Sequence, residues 1–408
     1  MSVLSEPARA RAQMRPTLLV LGVVSATAML YCVPMYGVGK RNEDARQFLR
    51  NYRPPNEFEA YAAYSMDYAV ESSERNDVIF LGDSTARCDV RTTQFEKETG
   101  LKAYNLGNAG LLGIESHYHL FRTYLLHHPQ PRVVVLNLLP TDLARPVHEG
   151  MPPDYQEIRT RFLWCFGPGT EDLRPSRDGF LYLCRQGIKT AYGSLMGGFD
   201  RYSNEPIPFY GGETFQTLKR KLTAERGFTL IPLEYSTASR TTISTLDPFS
   251  VSPRFNDDLI PLVQLTAEHG IPLLLRLTPF SGEAAEHSPR LRSWASDLQA
   301  RYPHVIVGRP EVLLYDPYLF ADQSHCNAKG VKRFTSLLAQ DVKELLARRG
   351  GEKSRNLVTS KSATQPPSGQ ATTDQGFPDD PHRPSERRDG ESSNLNEALL
   401  LEILGWLI

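Results

Sequence analysis

Asp77-Val78-Ile79-Phe80-Leu81-Gly82-Asp83-Ser84 sets an apolar run of strand length against a turn and a serine. Valine, isoleucine, phenylalanine and leucine in unbroken succession, with charge before them and glycine after, suit a strand buried on both faces. Similar runs recur at 102–106, 133–138, 272–277 and 305–307. Helical periodicity lies between them at about 114–126, 256–268, 289–301 and 328–348. The alternation predicts an α/β, doubly wound domain on a mainly parallel five-stranded sheet. Such sheets gather functional groups at the carboxyl ends of their strands. Ser84, Gly107 and Thr141 each follow a strand candidate; Arg276 and Thr278-Pro279 close another and either approach the same edge or serve as buried structure.

A serine hydroxyl is a weak nucleophile until an imidazole takes its proton, and a carboxylate that orients the imidazole improves that base. Asp322-Gln323-Ser324-His325 supplies both partners three residues apart. Ser84, His325 and Asp322 are therefore the catalytic candidates. The bland alternatives are a capping or turn serine after a strand and a surface turn before the next helix.

Four blocks in this order resemble the SGNH (GDSL-type) hydrolase family. Gly82-Asp83-Ser84 corresponds to the first and Asn105-Leu106-Gly107 to the second; the run 132–142, ending Leu139-Pro140-Thr141-Asp142, takes the third place and 322–325 the last. The resemblance covers about 77–346 and implies a three-layer SGNH/flavodoxin-like sandwich, an acyl-enzyme on Ser84, and an oxyanion hole using the backbone N–H groups of Ser84 and Gly107. The family's third donor is an asparagine from Gly-x-Asn-Asp, and Thr141 stands in its place. A lost donor of this kind costs about 2.7–4 kcal/mol in a transition state. Either another donor substitutes, with Asn108 the first candidate, or hydrolysis is weak. The third block, the N-terminal segment and the long insertion together look similar to membrane-anchored SGNH-like proteins of bacterial envelopes. Relatives of that kind act in alginate O-acetylation and teichoic-acid D-alanylation. The implied substrate is an acyl ester or acylated envelope glycan, the implied partner a membrane-bound O-acyltransferase, with hydrolysis and transfer both open.

Near-equal charge, 46 basic against 47 acidic residues in 408, gives no electrostatic case for nucleic acid, and no glycine-rich nucleotide loop or internal repeat stands out, so no cofactor is expected. Basic 1–16 precedes a mostly apolar 17–38, read as a transmembrane signal anchor exporting the catalytic region to the periplasm or cell surface. Cleavage after Ala26-Thr27-Ala28 is the alternative. Residues 39–76 are expected to be a linker with a lead-in helix, 77–349 the SGNH-like domain, and 350–408 a disordered tail with a short apolar end. Within the domain, 145–254 breaks the pattern with Trp164, Tyr182, Tyr192, Tyr202, Phe209 and Tyr210, as a cap or a satellite core.

Cys88, Cys165, Cys184 and Cys326 would be exported, and a Cys88–Cys326 bridge or buried free thiols are both open. Glu115, His117, His119, His127 and His128 lack tight ligand spacing and are read as solvated helix residues rather than a metal site. Three functions remain: a membrane-anchored serine esterase or O-acyltransferase, a catalytically weak scaffold of the same fold, and an intracellular lipid esterase or thioesterase.

Overall fold

β1 (Val78–Gly82) is inaccessible to solvent from Val78 to Leu81. Each such side chain contributes about 1.5–3 kcal/mol of burial free energy, which explains why the run cannot lie at an edge. Its neighbours are β2 (Ala103–Asn105) and β3 (Val133–Leu138), both parallel to it, with Ile79 opposite Tyr104 and Val134. β4 (Leu273–Leu277), β5 (Phe280–Ser281), β6 (Val305–Gly308) and β7 (Leu314–Tyr315) complete the strands of the computed structural model, which describes residues 57–144, 153–166, 214–231, 251–281, 289–308, 313–322 and 324–361, with 22, 23 and 26. The main sheet is five-stranded and all-parallel in the order β2-β1-β3-β4-β6; β5 and β7 form a separate pair. The order reverses between β1 and β3, so the connections leaving their carboxyl ends diverge and open a crevice there.

Alternate strand residues face opposite cores. Ile79, Leu81, Val134, Leu136, Leu273 and Leu275 share one with α1 (Glu57–Glu71), α4 (Gly113–His127), α6 (Pro153–Phe166), α7 (Phe215–Ala224), α8 (Pro253–Glu268) and α9 (Pro289–Arg301). Val78, Phe80, Val133 and Val135 face the other, with Phe95 of α3 (Thr92–Thr99) and Val331, Phe334, Leu338 and Val342 of α10 (Ala328–Lys361). α2 (Ser84–Asp89) and α5 (Pro140–Ala144) are short helices directly after β1 and β3.

Several expected boundaries move. α1 is no mere lead-in: Ala60, Tyr61, Tyr64 and Met66 are buried in the main core. α10 continues through Gly350 and Gly351 to Lys361, past the expected start of the tail, while 362–408 lies outside the described residues. The segment 17–38 lies almost wholly outside them as well; among the described residues no helix is long and apolar enough to cross a membrane. The described parts of 145–254 join the main core through Ile158, Phe162, Leu163, Leu218 and Leu222. The side chain of Trp164, and all of Tyr182, Tyr192, Tyr202, Phe209 and Tyr210, lie outside the described residues.

The chain after α7 covers the edge strand β2, which would otherwise present unpaired backbone. The Asn105 N–H donates to Arg226 O at 3.0 Å, and Arg226 Nε donates to Ala103 O at 2.7 Å. Gly227 follows at φ 89, and a Cβ there would stand 1.9 Å from Asn105 O. Gly227→Ala is therefore expected to destabilise the fold by about 2–4 kcal/mol, read by thermal melting; an unchanged melt would show that this edge cover is dispensable.

The histidine-rich helix also departs from its solvated reading. His117, His119 and His128 are buried, and only His127 of the four is exposed. His119 Nε2 is 3.7 Å from Glu115, which also pairs with Arg159 of α6. The His128 ring nitrogens lie 3.0 Å from the carbonyl oxygens of Glu74 and Tyr68, and its ring stacks on Tyr124. Glu115 thus ties α4 to α6, and His128, directly after α4, reaches the backbone of α1.

Candidate active site

The Gly-Asp-Ser turn has a separate physical reason for each residue. Gly82 adopts φ +136, and a Cβ would lie 2.0 Å from Asn137 O of the neighbouring strand. Asp83 caps α2: its Oδ1 accepts the N–H of Thr85 at 2.8 Å and of Ala86 at 3.4 Å, and the Thr85 hydroxyl. Ser84 is then the first helical residue, where the backbone N–H has no acceptor within the helix. The motif thus presents a half-buried hydroxyl beside an amide available to an anion.

The base arrives from the opposite end of the chain. An antiparallel bridge between Phe320 and Cys326 closes the loop 321–325, with the Ala321 N–H donating to His325 O at 2.8 Å. Asn327 caps α10 through the N–H groups of Lys329 and Gly330, so the turn before that helix does not need Asp322 as its cap. Asp322 instead accepts the N–H groups of Ser324 and His325, each at 2.8 Å, which fixes its carboxylate in place. His325 Nδ1 lies 2.8 Å from Asp322 Oδ2, and His325 Nε2 lies 2.9 Å from Ser84 Oγ. The structure brings Ser84, His325 and Asp322 into one continuous hydrogen-bonded chain.

Electrostatics suit that chain. Burial opposes the charged form of Asp322, but the hydrogen bond and charge of His325 and the two loop amides prevail and hold it at about 2. Burial also disfavours the His325 imidazolium, yet the hydrogen bond that its Nδ1–H donates to Asp322 and the charges of Asp89, Asp322 and Asp83 raise its pKa above the ordinary 6.5. A general base must be neutral, so the rate of Ser84 acylation is expected to climb with pH to a plateau, its midpoint above 6.5. Asp322→Asn should move that midpoint down; a wild-type profile that is flat or falls with pH would exclude His325 as the base.

The oxyanion candidates fare differently. The Gly107 N–H donates to Asn105 Oδ1 at 2.8 Å and is therefore already engaged. The Asn108 N–H donates to Gly82 O at 2.7 Å, which locks the loop after β2 to β1. Its side chain is fully buried, and Nδ2 has no hydrogen-bond partner among the described residues. Thr141 lies in α5, at the carboxyl end of β3, and its side chain is outside the described residues.

Further residues surround the site. Gly110 opens a 3-10 turn against Asp83, 3.5 Å separating Asp83 Cβ from where a Cβ on Gly110 would lie. Asp142 hydrogen-bonds Asp83, and burial, then the charge of Asp83, push its carboxyl well above the usual carboxylate range. Thr278 receives the Thr85 hydroxyl at 3.3 Å and so reaches the nucleophile helix. Arg276, by contrast, is buried beside Asp341 and donates to Gly308 O, on the α10 side of the sheet. Cys88 and Cys326 are buried free thiols, and the bridge between them is not formed.

A scan against models of known protein families matches none over this chain, and a search of curated proteins returns no match. Ser84 and, 241 positions further on, His325 with its neighbour Asp322 meet at hydrogen-bonding distances.

Proposed function

We propose that this protein is a membrane-anchored serine ester hydrolase or O-acyltransferase of SGNH type, acting on an acylated envelope polysaccharide or a similar ester. The hydrogen-bonded chain Ser84–His325–Asp322 carries the reading. His325 Nε2 takes the proton from Ser84 Oγ as the oxygen attacks the ester carbonyl, and Asp322 stabilises the imidazolium. The tetrahedral oxyanion is met by the Ser84 N–H, with Asn108 Nδ2 as the candidate second donor. Collapse expels the alcohol, which leaves with the proton from His325, and the acyl group remains on Ser84. Water, or a hydroxyl of an acceptor glycan, then attacks, passes its proton to His325, and regenerates Ser84 with release of acid or transferred ester.

The resemblance to the SGNH blocks supports the reaction class, and the apolar segment at 17–38 supports an anchored, extracytoplasmic placement with a membrane-bound O-acyltransferase as partner. One observation favours a second reading, a scaffold with little chemistry: Thr141 replaces the expected asparagine, and the Gly107 N–H is engaged by Asn105. Exposure of the full-length protein in mild detergent to a fluorophosphonate, followed by intact mass, separates the two. The esterase reading expects one phosphonyl adduct on Ser84. A folded protein without the adduct would favour the scaffold.

A further inference from the structure

Asp89 closes the helix that Ser84 opens. α2 spans Ser84–Asp89, so the nucleophile and this carboxyl sit at opposite ends of one rigid element, roughly 7.5 Å apart along its axis. Asp89 is completely buried. Its Oδ1 accepts the N–H of Cys326 at 2.8 Å, and Cys326 directly follows His325. Cys326 is also the residue whose bridge to Phe320 closes the loop carrying Asp322 and His325. The backbone around Asp89 is anchored in turn: Thr335 of α10 donates its hydroxyl to Asp89 O at 3.4 Å and accepts the Arg91 N–H at 3.0 Å.

We infer that Asp89 is a positioning residue, holding His325 at bonding distance from Ser84 by gripping the Cys326 N–H from the nucleophile's own helix. The inference rests on the esterase reading for its kinetic consequence, though the grip itself does not. Ser84 and His325 lie 241 residues apart in sequence, and the bond between their side chains is one that catalysis must repeatedly break and remake. The grip supplies a second tie that survives the proton transfer. A base loosened by an ångström loses about a hundredfold in rate.

A hydrogen-bond acceptor is enough for the grip, whereas the charge of Asp89 acts on His325 separately. Asp89 is pushed up to about 7, chiefly by burial, against the pull of His325 and the Cys326 N–H. The titratable groups that face it are Cys88 and Asp83 from its own helix and cap, Asp322, His325 and Cys326 from the loop, and Tyr315 from β7.

The test compares full-length wild type, Asp89→Asn and Asp89→Ala. Asparagine keeps an acceptor oxygen for Cys326 and removes the charge; alanine removes both. Three readouts are followed: the fluorophosphonate labelling rate against pH, the titration of His325 by NMR with labelled histidine, and hydrogen exchange at the Cys326 amide. The alanine variant is expected to label about 30-fold or more slowly at every pH and to lose protection at Cys326, while asparagine stays within about fivefold at the plateau and keeps that protection. Asparagine should also lower the His325 midpoint, because a neighbouring negative charge favours the imidazolium. An alanine variant with wild-type rate and protection would overturn the inference, as would an asparagine variant as slow as alanine. Should alanine fail to fold, the asparagine variant decides through Cys326 protection. Wild type that takes no label would defeat the esterase reading alone; exchange and titration need no chemistry and would still decide the role of Asp89.

Discussion

Ser84→Ala is expected to abolish fluorophosphonate labelling and to lower ester turnover on the order of a millionfold, while the melting temperature stays within a degree or two of wild type. The asymmetry follows from the geometry. Ser84 is half-buried, and its hydroxyl bonds His325 Nε2 at 2.9 Å; the cap that holds the turn belongs to Asp83 and the conformational demand to Gly82. Alanine thus removes the nucleophile from an intact frame. His325→Ala should be nearly as severe, and the double variant no worse than either single one, because nucleophile and base act as a unit. Asp322→Asn should cost about 10⁴, since the amide permits the wrong tautomer. Equal turnover in wild type and Ser84→Ala would remove this serine from the chemistry, and multiplicative losses in the double variant would show that the two residues work independently.

The elements legible beforehand are those whose local pattern has one physical solution. Val78–Gly82 and Val133–Leu138 are continuous apolar runs because both faces meet helices, and they appear where expected. β2 is only three residues long, yet the Asn-Leu-Gly that begins on its last residue marks its end. α2 was hidden because six residues are too few for a periodicity, and Asp83, its cap, also reads as a catalytic motif residue. The histidines of α4 read as solvated because polarity is a poor guide where backbone carbonyls such as Tyr68 O and Glu74 O await a donor inside the fold. Within the site, Ser84, Asp322 and His325 could be named from chemistry and order. Asp89 and Asp142 could not: each earns its place through a tertiary contact with no fixed sequence spacing, whereas the strand end before Thr278 already pointed it toward the same edge. Gly107 shows the converse, a residue chosen by motif whose amide the fold assigns to Asn105.

Arg87→Ala should lower stability by about 3–5 kcal/mol and the melting temperature by roughly 10 °C, the largest loss expected from any substitution in the nucleophile helix outside the catalytic chain. Arg87 is 1 % exposed. Its guanidinium lies 4.6 Å over the Tyr61 ring and donates to Ser65 Oγ at 2.6 Å, to the Gly107 carbonyl, and to Gly227 O at 3.4 Å. One side chain therefore ties α2 to α1, to the loop bearing the oxyanion candidates, and to the segment that covers β2. Burial lowers its pKa, and the electron-rich Tyr61 pulls the other way. Alanine would leave a cavity and strand two buried carbonyls. Lysine keeps the charge, but its single ammonium cannot span acceptors on three elements, so it should recover only part of the loss. Methionine tests the sign of the charge term: it fills most of the volume and avoids burying a cation, so it should melt between alanine and wild type. Labelling of Ser84 should slow in all three variants even well below their melting temperatures, because the Gly107–Asn108 loop loses its tether to the helix. A methionine variant more stable than wild type, with unchanged labelling, would show that the guanidinium is a buried cost and that the bonds of Leu106 to Phe80, of Asn108 to Gly82 and of Asn105 to Ala86 suffice to hold the loop after β2.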